Sequence, residues 1–392
     1  MARIPDAVLD DLRARNPVHE VAGRYVALRN KGNRWVGPCP ICSSNTSSRT
    51  ACRFEASADK WVCAVCCDGG DVIRLIECIE GRGFREAVEA LVGDAEPDPA
   101  EASRRAAERA KRKEMDEREV AERREKERTR CRDIWRSGIA CLPGSSAATY
   151  LQLRGLNVPD TRSLRFVLEV PYFHPGPDGK ARLIYSGPAM LAAIQDAICI
   201  FRGLHITWID LDQPDGKALI VDPETGEQLP AKKVRGVKQG NAIRLISGCE
   251  SPSRLVLGEG VETVLSPWTA MHRAGHDLSQ TAFWSSVDLG NLGGRALETV
   301  PHPVETGRNG APRRMPGPVP DMSVAGMAIP DSVTDIVLLG DGDSDRFLTG
   351  TTLRRAAQRF AAPGRTIRLA WARDGYDFND MLRNAVEAKH EQ

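Results

Sequence analysis

Two short apolar runs in the C-terminal third each end in glycine and acid: Arg254-Leu-Val-Leu-Gly-Glu259-Gly-Val-Glu262 and Asp335-Ile-Val-Leu-Leu-Gly-Asp341-Gly-Asp343-Ser-Asp345. Runs this short and this apolar fit buried parallel strands, which deliver the next residues to the carboxyl edge of a sheet, where α/β folds bind ligands. Carboxylates gathered at such an edge suit Mg²⁺, a hard cation held by one or two acids together with substrate phosphates. The surrounding pattern alternates. A strand over 254–257 precedes a helix over 262–272 and a strand over 282–285. A strand over 335–339, a helix over 346–360 and a strand over 366–370 follow, and Asp377-Phe-Asn379-Asp380 opens a terminal segment. Alternating elements imply a parallel sheet. The Pro/Gly-rich stretch 301–330 reads as a surface loop, expected to be mobile.

With 392 residues the chain exceeds one ordinary domain, so two or three folded units are expected. Lys and Arg number 54 against 53 Asp and Glu, a net charge of +1 that neither favours nor excludes a polyanionic partner; local patches must decide. No apolar stretch approaches the roughly 20 residues that span a bilayer, and the opening Met-Ala-Arg-Ile-Pro-Asp lacks the apolar core of a signal peptide, so a cytoplasmic protein without a membrane segment is expected. Residues 1–95 read as one compact unit with a helix from Asp6 to Arg15, a strand-like Tyr25-Val-Ala-Leu, a cysteine region and two helices, from Asp71 and from Phe84 to Val92. Residues 96–136 are a charged helical linker whose acids nearly balance its bases. A mixed α/β region, 137–250, precedes the parallel-sheet region, 251–392.

Cys39-Pro-Ile-Cys42 and Cys63-Ala-Val-Cys66 stand 20 residues apart. Each turn presents two thiolates to one metal, and two such turns close a tetrahedral zinc shell; with no open position the zinc is structural. Cys52 and Cys67 are alternative ligands, whereas Cys78 falls on an apolar helix face. Aromatics beside basic residues, Arg34-Trp35, Arg53-Phe54 and Lys60-Trp61, leave two readings open: stacking on bases of a single strand, or the core of a small metal-stapled fold.

Cys39-Pro, Trp61-x-Cys63-x-x-Cys66, Gly69-Gly70-Asp71-Val-Ile and Phe84-Arg-Glu-Ala-Val resemble the zinc-binding domain of DnaG-type primases, with Cys42 where those usually carry His. Glu259-Gly and Asp341-x-Asp343 resemble the Toprim domain shared by those primases, topoisomerases and some nucleases. His205-Ile-Thr-Trp, Asp215-Gly-Lys-Ala, the Lys232-Lys233 stretch, Ala242-Ile-Arg-Leu and the closing Asp377-Phe-Asn-Asp are similar to phage and plasmid primases. The resemblance implies an α/β multidomain chain: a zinc-ribbon domain, a charged linker, and a mixed α/β core ending in a Toprim domain.

It further implies a DNA primase, a nucleotidyltransferase making short RNA primers on single-stranded DNA from NTPs. Glu259, Asp341 and Asp343 would bind Mg²⁺, or Mn²⁺ in its place, with Glu259 also moving a proton. Asp345 is a further candidate magnesium ligand or a helix start, and Glu262 carries the same ambiguity. Lys232, Lys233, Arg235, Lys238 and Arg244 are candidates to grip template or nucleotide phosphates, or form a solvated face, and Trp61 is a candidate base-stacking residue. His205 either contacts nucleic acid or is structural. Asp377, Asn379 and Asp380 either support the metal site or start the last helix.

No Gly-x-x-x-x-Gly-Lys-Ser/Thr motif is present, so unwinding would fall to a separate replicative helicase. Two rivals remain: a Toprim nuclease or topoisomerase, and a non-catalytic single-strand-binding accessory protein. Tyr25, Tyr150, Tyr172, Tyr185 and Tyr376 stand in no topoisomerase context, and the two intact acidic clusters weigh against a degenerate core.

Overall fold

A computed structural model describes residues 4, 6–32, 34–42, 54–63, 68–92, 99–141, 143–176, 180–306 and 312–390; Cys52, Cys66 and Cys67 lie outside them. The chain divides into two compact units, one formed mainly by Met1–Glu117 and the other by Arg118–Glu305 with Pro312–Gln392. Among the described residues no helix is long and apolar enough to cross a membrane.

In the first unit, helices Asp6–Arg15 and Val18–Gly23 precede five short strands, Arg29–Lys31, Arg34–Gly37, Phe54–Ala56, Trp61–Cys63 and Asp68–Gly70, paired in sequence order as an antiparallel sheet. Tyr25-Val-Ala-Leu is not a strand. The N–H groups of Tyr25 and Val26 bond back to Ala22 O, continuing the turn that ends the preceding helix, and pairing begins only at Arg29. At Asp71 the chain passes from sheet to helix: its carboxylate accepts from the Arg74 N–H (3.0 Å), satisfying a first-turn donor of helix Val72–Glu80, and from Arg13 Nε (2.7 Å). That helix buries Val72, Ile73, Leu75 and Ile76 against Leu9, Leu12, Phe54 and Trp61, each side chain stabilising the fold by about 1.5–3 kcal/mol. It stops at Gly81, whose φ of 64° is left-handed.

The second unit is organised on one ten-stranded sheet. Its antiparallel part comprises Ile139–Ala140, Leu164–Pro175, Ala181–Gln195, Phe201–Trp208 and Lys232–Gly236, and its parallel part comprises Thr281–Ser285, Arg254–Gly258, Asp335–Gly340 and Thr366–Trp371, side by side in that order. Ala242–Ile246 joins the two, antiparallel to both neighbours. Both faces of the parallel part are covered, which is why its strands read as unbroken apolar runs. Val256 and Phe283 pack with Val264, Leu265 and Trp268 of helix Val261–Arg273 and with Phe378 and Leu382 of helix Phe378–His390. Leu255, Leu257, Ile336 and Leu338 pack with Leu353, Ala356 and Phe360 of helix Arg346–Phe360.

The Pro/Gly-rich stretch departs from the surface loop expected of it. Strands Thr299–Thr306 and Pro312–Pro316 pair as a hairpin. Two arginines of helix Arg346–Phe360 hold this region by its carbonyls: Arg355, 2% exposed, donates to Gly294 O, Pro316 O and Gly317 O, and Arg359 to Asp321 O and Val324 O. Proline removes N–H donors but leaves carbonyls free, so a proline-rich segment can be fixed by arginine.

Candidate functional site

In the first unit Cys39, Cys42 and Cys63 converge, their sulfurs within 4.8 Å of one another. Cys39 follows strand Arg34–Gly37 and Cys63 closes strand Trp61–Cys63, so the sheet itself brings Cys63 to the Cys39–Cys42 turn. The Ile41 N–H donates to Cys39 Sγ (3.4 Å), an arrangement that stabilises a thiolate. Three soft sulfur donors at this spacing fit zinc, and Cys66, the fourth of the sequence set, lies outside the described residues. Trp61, a candidate base-stacking residue, takes the other reading and belongs to the core: it is 3% exposed, stacks on Phe54 with centroids 5.7 Å apart and donates its indole N–H to Asp71 O. Its ring has no free face for a base.

In the second unit Glu259 directly follows strand Arg254–Gly258, and Asp341 follows strand Asp335–Gly340. Leu257 is in register with Leu338, so the two acids leave the sheet side by side at its carboxyl edge. The loop after strand Thr281–Ser285 clasps the first acid. Ser286 donates its N–H and its hydroxyl to Gly258 O (2.8 and 3.0 Å), and Ser285 Oγ donates to Glu259 O (2.6 Å). Val287 in the same loop has φ 76°, a strained conformation for a β-branched residue and of the kind that gathers at functional sites.

The second acid is fixed through Gly342. A Cβ there would lie 2.1 Å from Arg373 O, and the glycine backbone bonds to Tyr376 O and to the Gly375 N–H. Thr263 Oγ1 donates to Asp341 Oδ2 (3.1 Å).

These acids repel one another. Burial, with Asp341, Asp288 and Asp343 nearby, pushes the Glu259 carboxyl up to about 7, while Lys232 opposes the shift. Burial, with Asp377 and Asp343, pushes Asp341 up to about 6 against the Thr263 hydroxyl and the Phe378 N–H. Negative charge is thus collected beyond what the protein neutralises, in carboxylates of the kind a hard divalent cation takes, although among the described residues Glu259, Asp341 and Asp343 do not bring their ligand atoms within 4.8 Å of one another.

The structure sorts the remaining candidates. Asp343 lies exposed beside the cluster. Asp345 caps helix Arg346–Phe360 through the Leu348 N–H (2.6 Å), which holds its carboxyl below the usual range, and it accepts from His302 Nε2 (3.0 Å). His302 Nδ1 accepts N–H bonds from Val304 and Glu305, so Nε2 carries the proton. Although His302, Glu305 and Asp345 lie within metal-site spacing, that proton makes the histidine a donor to Asp345 and not a ligand.

Glu262 is buried away from solvent and accepts from Tyr150 Oη (2.5 Å) and Lys232 Nζ (2.8 Å). Of the five candidate cations, Lys232 and Lys238 reach acids at the site, Glu262 and Asp288. Lys233 lies over the Tyr172 ring, Arg235 pairs with Glu127, and Arg244 lies over Trp284 while donating to Asp196 O and Ala197 O. His205 is buried with Nδ1 unpartnered among the described residues, and burial pushes it down to about 4, with Lys232 adding to the shift; it is neutral at pH 7. Asp377 and Asp380 cap one another across the start of the last helix, and Asn379 is fully buried, donating to Arg154 O.

Asp288 and Thr263 escape the sequence reading. Asp288 follows its strand as the other acids follow theirs, but Ser286-Val287 intervenes and hides the pattern; for Thr263 there is no local signal.

Comparison with known proteins falls into parts. Residues 4–106 match the CHC2 zinc finger of DnaG, and residues 125–245 match a family described as a domain of unknown function (DUF7146). The DNA primase of Halalkalibacterium halodurans is 37% identical over 91 residues, 23% of this chain and 14% of that protein. That of Enterococcus faecalis is 33% identical over 88 residues, 22% of this chain and 13% of that protein. The matched segment thus spans about one seventh of the length of these relatives. Among solved structures, the zinc-binding and RNA polymerase domains of the Aquifex aeolicus primase align over 98% of this chain and 84% of that one at 15% identity, TM-score 0.32. A DnaG primase catalytic domain bound to single-stranded DNA aligns over 64% and 75% at 16% identity, TM-score 0.34. The N-terminal segment is accordingly a zinc-binding domain of the DnaG primase type.

Proposed function

We propose that this chain is a DNA primase that joins ribonucleoside triphosphates into short primers on single-stranded DNA. The observation that carries the reading is the emergence of Glu259 and Asp341 from adjacent parallel strands in a molecule that also holds a primase-type zinc finger. Glu259, Asp341 and Asp343 would hold Mg²⁺, and a bound divalent cation there would neutralise the cluster and polarise a phosphate oxygen. Lys232 supplies positive charge beside Glu259 and meets a phosphate that approaches the acids. The Ser285–Asp288 loop and the Gly342 turn keep the two acids in place, so little reorganisation accompanies the chemistry. The zinc-binding unit contacts the template, and strand separation belongs to a partner helicase.

The test uses labelled NTPs, single-stranded DNA and Mg²⁺. Oligonucleotides a few residues long are expected from the wild type and none from Glu259→Ala or Asp341→Ala at unchanged fold, a loss of at least about 10²-fold. Degradation of the DNA without primer synthesis would instead mark a nuclease.

A further inference from the structure

Glu262 raises a question of its own. It sits three residues after Glu259, yet it takes no part in the acid cluster: its side chain is 7% exposed and bonded to Tyr150 and Lys232. A buried ion pair adds little net stability, because desolvation of both charges offsets their attraction. This pair, moreover, is lopsided. Tyr150 is fully buried, Glu262 nearly so, and the Lys232 side chain is 34% exposed. An ammonium has three N–H donors. One goes to Glu262, and among the described residues Lys232 has no other hydrogen-bond partner. Glu262 lies three residues after Glu259 and directly before Thr263, which donates to Asp341 Oδ2 (3.1 Å), so the ammonium that Glu262 holds at 2.8 Å belongs to the surroundings of the two acids.

The three residues come from distant elements: Tyr150 from helix Ser146–Leu153, Glu262 from the first turn of Val261–Arg273, and Lys232 from strand Lys232–Gly236, opposite Thr207. On its own, lysine is a flexible four-carbon stem with much rotamer freedom to lose on binding. A fixed acceptor at its tip removes that loss in advance.

We infer that Tyr150 and Glu262 form a buried mount that aims the Lys232 ammonium at the phosphates of a nucleoside triphosphate bound on the Glu259 and Asp341 cluster. This rests on the proposed primase reading and adds two positioning residues to it. Glu262 orients and Tyr150 locks Glu262; Lys232 touches the substrate.

The full-length protein with Mg²⁺ is titrated with a fluorescent, non-hydrolysable ribonucleoside triphosphate, and primer synthesis is measured in parallel. Lys232→Ala and Glu262→Gln are each expected to weaken binding of the probe by about tenfold, with KM raised more than kcat is lowered. Tyr150→Phe, which removes one hydroxyl and preserves the packing, is expected to weaken it by about threefold and serves if Glu262→Gln does not fold. In the Lys232→Ala background Glu262→Gln should add nothing further. The inference is overturned if Glu262→Gln and Tyr150→Phe bind the probe as the wild type does, or if their effects persist undiminished without Lys232. Normal primer synthesis in those variants would leave the primase reading standing, whereas a wild type that neither binds the probe nor makes primers would overturn both.

Discussion

Cys39 and Cys63 are fully buried in the first unit, and Cys42 lies within 4.8 Å of them; in the second, Glu259 and Asp341 stand at a sheet edge with their carboxyls pushed up to about 7 and about 6. The thiols are drawn together at the ends of short strands, with Cys39 and Cys63 built into the core of the first unit. The acids are forced together, against their own repulsion, by a large sheet covered on both faces. One cluster joins strand ends through atoms a metal would hold; the other is a local electrostatic cost borne by the sheet that presents it. If the acids hold Mg²⁺ as proposed, ligands that stabilise and ligands that react are distinguished by who supports whom.

That contrast is open to attack, beginning with the largest effect. Chelating zinc from the whole protein, or replacing Cys39 by Ser, is expected to unfold the first unit and leave the second unit's melting transition unchanged, since structural zinc is worth about 10–16 kcal/mol to a small domain. Calorimetry that still shows both transitions would break it.

Next comes acid. His205 is buried with its pKa depressed to about 4 from an ordinary 6.5, so the unfolded chain takes up a proton that the folded chain refuses. The stability this histidine contributes is complete above about pH 6.5 and is lost as the pH falls toward 4, up to about 3 kcal/mol. His205→Gln should flatten that slope in denaturant titrations of the second unit; an unchanged slope would assign the loss to other groups.

A smaller effect is expected at Gly342→Ala, where the added carbon meets Arg373 O at 2.1 Å. A loss of about 2–3 kcal/mol should accompany weakened Mg²⁺ dependence, because the same turn sets Asp341. Full stability together with full activity would show that the loop yields.

The smallest change separates a cap from a ligand. Asp345→Ala is expected to cost about 1 kcal/mol and Asp345→Asn much less, with the Mg²⁺ concentration for half-maximal synthesis unmoved in both. A raised Mg²⁺ requirement in Asp345→Asn would place Asp345 among the reacting acids.

Features encoded over a few neighbouring residues are legible in the sequence. The Cys39–Cys42 turn, the helix that opens at Asp71 and the acids after apolar runs all belong to this class, because each depends on geometry that one strand end or one turn imposes. Glu262 and Trp61 are different. Whether they face solvent depends on Tyr150, 112 residues from Glu262, and on how Phe54 and Asp71 surround an indole, and no local pattern carries that information. The hairpin inside the Pro/Gly-rich stretch was hidden for a related reason: its anchors, Arg355 and Arg359, lie in a helix that follows it.

Those two arginines have a consequence for how the molecule can change. They grip main-chain carbonyls of Gly294, Pro316, Gly317, Asp321 and Val324, groups present whatever side chains stand there. The hairpin's own sequence is therefore free to drift, provided its backbone path survives. A segment moored in this way can acquire new surface chemistry in one lineage after another while the sheet beneath it stays as it is.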